Sequence, residues 1–105
     1  MPTIVITQRL GRTIQRLKDG WRIDRIRRRH YHYFLWAPEF MRDNGHVDED
    51  LVEALMRLKL VTKEPLNLGL TERYWRYTSH VYRASELCKS FPLPPEEFWV
   101  SDGPV

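Results

Sequence analysis

The chain has 105 residues, of which 42% are apolar, 12% aromatic and 30% charged. This is enough for one compact domain and too little for two ordinary ones. Four Trp, five Tyr and four Phe exclude the ring-poor composition of a disordered chain. The single cysteine, Cys88, excludes an internal disulfide, and a reducing, cytoplasmic setting is the expectation. The opening Met1-Pro2-Thr3-Ile4-Val5-Ile6-Thr7 carries no basic leader, and no apolar run is long enough to span a bilayer, so neither secretion nor membrane association is expected.

Charge is more informative by position than in total. The net charge is +3, yet residues 1 to 36 hold nine bases and two acids, whereas residues 37 to 105 hold eight bases and twelve acids. A basic half of this kind attracts polyanions by releasing their counterions, or simply solvates one face of the domain.

In chain order, Thr7 is placed to cap a helix that runs to Lys18. In it Leu10, Ile14 and Leu17 share one face, with Arg9, Arg12 and Arg16 away from it. Gly11 weakens the first turn by about 1 kcal/mol relative to Ala, and Gly20 ends the helix. The runs Trp21–Ile26 and Tyr31–Trp36 are rich in aromatic and β-branched residues and predict a hairpin with Arg27-Arg28-Arg29-His30 at its tip. Ala37 to Asp43 predicts a short helix with Pro38 in its first turn, ended by Asn44-Gly45. Asp48 is the expected N-cap of a helix from Glu49 to Lys59 with an apolar stripe of Leu51, Val52, Leu55 and Leu58. Leu60–Lys63 and Tyr74–Thr78 predict a second hairpin, or wing, across a connection containing Pro65 and Gly69.

Ser79 to Ser90 predicts a last helix carrying Val81, Tyr82, Ala84, Leu87 and Cys88. The domain therefore spans residues 1–90, and residues 91–105 form a Pro-rich tail, docked or disordered. The apolar cluster Phe98, Trp99 and Val100 favours docking on the same chain. One core is expected from Leu10, Ile14, Leu17, Trp21, Ile23, Leu51, Leu55, Leu58 and Trp75.

The stretch from Phe40 to Val61, with Asn44-Gly45 as its turn and Leu55-Met56-Arg57-Leu58-Lys59-Leu60-Val61 as its strand entry, resembles the helix-turn-helix and strand entry of winged-helix proteins. Residues Lys63 to Thr78 are similar to their wing and return strand. With a hairpin after the first helix, and through Arg12-Thr13-Ile14 and Gly20-Trp21-Arg22-Ile23, the chain also looks like small prophage-encoded winged-helix-like proteins, including YjhX-type toxins. The resemblance implies an α+β fold: a helix, a β-hairpin, a helix-turn-helix, a second hairpin, and then a C-terminal helix with an extended tail. It also implies a non-enzymatic regulator of phage or mobile-element type.

By the same resemblance Asp48 to Lys59 is the recognition helix, whose first turn would meet a major groove. That turn carries Asp48, Glu49, Asp50 and Glu53, which phosphates repel, and only Arg57 and Lys59 favour binding. The expected nucleic-acid contacts are therefore Arg9, Arg12, Arg16, Arg22, Arg25, Arg27, Arg28 and Arg29 on phosphates of DNA or RNA. Tyr31 and Tyr33 either stack on unpaired bases or pack on a core. The alternative is a protein-binding inhibitor or adaptor, anti-defence or toxin-like. In it the basic hairpin meets an acidic protein partner, and Glu49, Asp50, Glu53, Phe98 and Trp99 make further contacts.

No catalytic pattern emerges. His30 and His32 supply two metal ligands at most, His46 and His80 are remote in sequence, and no His-Glu-x-x-His run occurs. Cys88 reads as a small buried hydrophobe, and Glu96 and Glu97 are adjacent and diverge. Gly11, Gly20, Gly45, Gly69 and Gly103 are too widely spaced for a phosphate loop. No enzyme activity, metal or cofactor is expected.

Overall fold

A computed structural model describes residues 5–27, 30–36, 42–65 and 78–102. Helix α1 spans Gln8–Lys18, and the Thr7 hydroxyl accepts the Leu10 N–H at 3.2 Å. The helix closes in a Schellman turn: Gly20 adopts φ 95°, its N–H donates to the Leu17 carbonyl, and the Trp21 N–H donates to that of Arg16. The Arg16 guanidinium then lies 4.4 Å from the Trp21 ring centre, across the same turn.

Strands β1 (Arg22–Arg27) and β2 (Tyr31–Trp36) form the expected hairpin, with Ile23 opposite Leu35 and Arg27 opposite Tyr31. β3 (Arg42–Val47) adds to the outer edge of β2. After helix α2 (Glu49–Arg57), β4 (Val61–Pro65) pairs with β5 (Thr78–Ala84), which returns to the other side of β1. The result is one antiparallel sheet in the order β3-β2-β1-β5-β4. Helices α1 and α2 cover one face of it. Ile14, Leu17, Ile23, Leu35, Val52, Leu55, Leu60 and Tyr82 are buried together there, and Trp21, Leu51 and Leu58 pack at the margin. Leu55 has no exposed surface.

Two predicted helices are corrected. Arg42 and Asp43, read as the end of a helix, and Asn44-Gly45, read as its stop, all lie inside β3, because the open edge of β2 offers ladder hydrogen bonds that outweigh local preference. The helix predicted from Ser79 is strand as far as Ala84, where β5 is paired on both sides by β1 and β4. Only Glu86–Lys89 is helical (α3), capped by the Ser85 hydroxyl on the Cys88 N–H. Asp48 stands at the N-cap of α2, but its carboxylate makes no cap bond and takes the Arg9 guanidinium at 2.6 Å instead. Lys59 occupies the left-handed position of a second Schellman turn, φ 60°, where glycine is usual. Trp75, the predicted strand residues Tyr74 to Tyr77 and the wing connection with Gly69 lie outside the described residues, as do residues 37–41 of the predicted short helix.

After α3 the chain runs as a strap back along α1, through a 3-10 turn at Glu96–Phe98. Lys18 Nζ holds the Phe91 carbonyl at 2.7 Å, and Val100 forms a parallel bridge with Thr7. The strap also completes the start of α1. The Gln8 N–H donates to the Val100 carbonyl at 2.9 Å and the Arg9 N–H to the Asp102 carboxylate at 2.7 Å, while Thr7 takes Leu10. The first three N–H groups of the helix are thereby satisfied.

Trp99 is only 8% exposed and belongs to the core, with its Nε1–H donated to the Pro94 carbonyl at 2.9 Å. Its ring lies on Gly11 so closely that a Cβ there would sit 2.7 Å from the indole Cδ2 and Cε2. The glycine that weakens the helix is the seat of the tryptophan.

The contact predicts a change of sign. Gly11→Ala should destabilise by about 1–3 kcal/mol because the ring must move. In a Trp99→Ala background, itself costing about 3–5 kcal/mol, the same change should be neutral or stabilising by up to about 1 kcal/mol. A double-mutant cycle of denaturation midpoints showing no coupling between the two positions would refute the contact.

Candidate nucleic-acid interface

Because side chains alternate along a strand, the register that puts Ile23, Leu35 and Tyr82 under the helices places Arg25, Tyr31, Tyr33, Lys63 and His80 on the same face, nearer one end of the sheet. Tyr33 is buried, with its ring centre 5.9 Å from that of Tyr82. Tyr31, two residues earlier on the same strand, is 46% exposed. The two tyrosines therefore separate: Tyr33 is core, a correction to its reading as a base-stacking residue, and Tyr31 alone offers a ring to solvent.

Arg25 joins the group together. Its guanidinium carbon lies 4.2 Å from the Tyr31 ring centre, and its Nη2 is 2.7 Å from His80 Nδ1. A guanidinium only donates, so Nδ1 is the acceptor, and neutral His80 carries its proton on Nε2. Burial first, then the charges of Arg25 and Lys63, hold the His80 pKa below its ordinary 6.5. Burial also pushes the Tyr82 hydroxyl above 10, helped by Tyr33 and opposed by Arg25.

Four of the other predicted phosphate contacts, Arg9, Arg12, Arg16 and Arg22, are engaged within the chain. Arg9 meets Asp48, and Arg12 Nη2 lies 4.0 Å from Glu96 on the strap. Arg16 lies against Trp21. Arg22 is on the opposite face of the sheet, 3.2 Å from Asp24, in the same stretch of surface as the Arg83–Glu64 pair. Arg22 thus sits away from Arg25, although the two are three residues apart. Arg27 ends β1; Arg28 and Arg29, next in sequence, lie outside the described residues.

For the protein-binding alternative, Glu49, Asp50 and Glu53 are exposed on α2, and Phe98 is 68% exposed on the strap. Trp99 is withdrawn from that set, since its ring is spent on Gly11. Cys88 is buried on α3, where burial raises its thiol pKa against the opposing charge of Lys18. His32 and His46 face each other with ring centres 6.0 Å apart on the sheet face away from the helices. Among the described residues no three His, Cys, Asp or Glu side chains converge as a metal site would require, and no helix is long and apolar enough to cross a membrane.

His80 and Lys63 were not expected at this place. His80 reaches it through the β1–β5 pairing, opposite Arg25, and Lys63 through the β4–β5 pairing, opposite Tyr82. The signal that could have found His80 is the run Thr78-Ser79-His80-Val81-Tyr82, whose β-branched and aromatic members suit a strand better than a helix. No protein-family model, curated protein or solved structure matches the chain.

In an NMR pH series His80 should titrate below 6.5 with its neutral form protonated on Nε2, and Arg25→Ala should raise that pKa; an Nδ1–H tautomer would exclude the Arg25 contact.

Asp24 is 2% exposed, and burial, opposed by Arg22 and then Arg83, raises its pKa from 3.8 to about 6. The folded state thus binds the Asp24 proton more tightly than the unfolded chain does, and this contribution to stability is lost as pH rises from about 4 through about 6. Denaturation midpoints of Asp24→Asn should lack the decline that the unmodified protein shows over this window; parallel curves would count against it.

Proposed function

We propose that the protein binds nucleic acid through the end of the β1–β2 hairpin and acts as a small regulator by that binding. The observation that carries the reading is the seating of Arg25 between the exposed Tyr31 ring at 4.2 Å and His80 at 2.7 Å, on the strand that leads into Arg27-Arg28-Arg29. A cation on an exposed ring, followed in sequence by a run of arginines, combines phosphate attraction with a base-stacking surface. The winged-helix-like order of helix, hairpin, helix and second hairpin survives only in part, since β3 takes up the Asn44-Gly45 turn of the expected helix-turn-helix. The reading moves the nucleic-acid contact from α2 to the hairpin, because α2 opens on exposed Glu49, Asp50 and Glu53. The regulatory role of phage or mobile-element type comes with that resemblance.

A second reading has its own observation. Val5 at 63%, Phe98 at 68% and Val100 at 51% exposure lie where the strap pairs beside Thr7, an apolar patch suited to a protein partner.

Anisotropy titrations against mixed DNA and RNA pools at two salt concentrations separate the two. Arg25→Ala and the triple Ala variant of Arg27, Arg28 and Arg29 should weaken binding and flatten its salt dependence, by roughly 0.7 to 0.9 in log–log slope for each phosphate no longer neutralised. Arg57→Ala on α2 should change neither. Failure of the unmodified protein to bind any pool, or an equal loss from Arg57→Ala, would overturn the nucleic-acid reading. A partner that survives nuclease and disappears on Phe98→Ser would put the strap patch in its place.

A further inference from the structure

Duplex and single strand present different chemistry to this end of the sheet. A duplex keeps its base faces stacked inside and shows phosphates and groove edges, whereas an unpaired strand offers each base as a flat surface beside its phosphate. Phosphate attraction alone would serve both. Three features of the structure favour the second.

The ring of Tyr31 is exposed while Tyr33, next on the same face, is buried, so the aromatic row of β2 emerges from the core at Tyr31. The Arg25 guanidinium lies over that ring at 4.2 Å, setting a positive charge within one side chain's reach of the stacking surface. His80 is fixed by Arg25 as an Nε2–H donor, a neutral group suited to a phosphate oxygen, and Lys63 adds a second charge felt at the same imidazole. Platform, charge and donor thus come from β2, β1 and β5, the three central strands of the sheet, and are held in place by its hydrogen bonds.

We infer that Tyr31, Arg25 and His80 form a clamp for one nucleotide of single-stranded nucleic acid: an unpaired base stacks on the exposed side of the Tyr31 ring, and its phosphate takes Arg25 and the Nε2–H of His80. The clamp rests on the nucleic-acid reading above and narrows it to unpaired strands. Its elements carry no sequence code, because every base has a face that stacks.

The test compares labelled oligo-dT and oligo-U of roughly 12 nucleotides, within the site sizes of single-strand binders, with a blunt DNA duplex of equal length, all by anisotropy on the full chain. Single strands should bind about tenfold more tightly than duplex. Tyr31→Ala should lose about that factor on single strands and clearly less on duplex, as removal of one stacked base predicts. Tyr31→Phe keeps the ring and should keep the affinity. His80→Ala should weaken single-strand binding severalfold, whereas His80→Gln, which retains a donor, should restore most of it. Tighter binding of oligo-U than of oligo-dT assigns RNA as the occupant, and the reverse order assigns DNA.

Equal affinity for single strand and duplex, or an equal loss on both from Tyr31→Ala in a variant with unchanged melting temperature, overturns the clamp and leaves the broader reading standing. Absence of binding to all three probes overturns both.

Discussion

The register of β1 decides on which face of the sheet Arg25, Tyr31, Tyr33 and His80 lie. Ile23 is fully buried and sits between Leu35 on β2 and Tyr82 on β5, with both helices above it. Its neighbour Asp24 is equally withdrawn from solvent but on the other face, beside Arg22. A slip of one residue would exchange the two, putting a carboxylate beneath α1 and α2 and losing an isoleucine from the core. The register is thus enforced from both faces. Once it is set, Arg25, Tyr31 and His80 must share the helix-facing side, and Arg22 must leave them.

Part of the charge asymmetry of the sequence is folded back on itself. Arg9 and Arg12 come from the basic half, and Asp48 and Glu96, which meet them, come from the acidic half. These pairs are solvent-exposed and each contributes on the order of 0–1 kcal/mol, so they matter more to the field around α1 than to stability. Arg16 and Lys18 are likewise turned to a ring and a carbonyl of the same chain. Two of the four bases of the first helix are thus paired with acids, while a ring and a carbonyl leave the charges of Arg16 and Lys18 in place. Arg25 is likewise engaged, with the His80 ring nitrogen and the Tyr31 ring.

What was legible in the sequence was what local chemistry determines. The Thr7 cap, the Gly20 stop, the apolar stripes of α1 and α2 and the aromatic runs of the first hairpin all appear where their residues place them. β5 escapes a local reading because its partner β1 lies far back in the chain, and β3 because Asn44-Gly45 has the local chemistry of a turn although β2 lies close by in sequence. Tyr31 and Tyr33 illustrate a finer limit. Alternation correctly puts them on one face, yet which of them is covered depends on how far the helices extend over the sheet. Gly11 shows the opposite error, for a residue that reads as a defect in the helix is the space a tryptophan needs.

The strap also has a consequence in time. Arg9 and Asp102, which bond to each other, are separated by 93 positions. A ribosome releases the chain from its N-terminal end, so α1, the first hairpin and α2 all emerge before the strap that completes them. Until then the Gln8 and Arg9 N–H groups depend on water, and the surface over Gly11 that Trp99 will cover stays open. Contacts this remote in sequence close slowly, since most of the chain must be ordered before they form. The nascent protein therefore passes through an interval with its sheet largely assembled and its first helix unsealed, the stage at which a chaperone or a protease has the most to recognise.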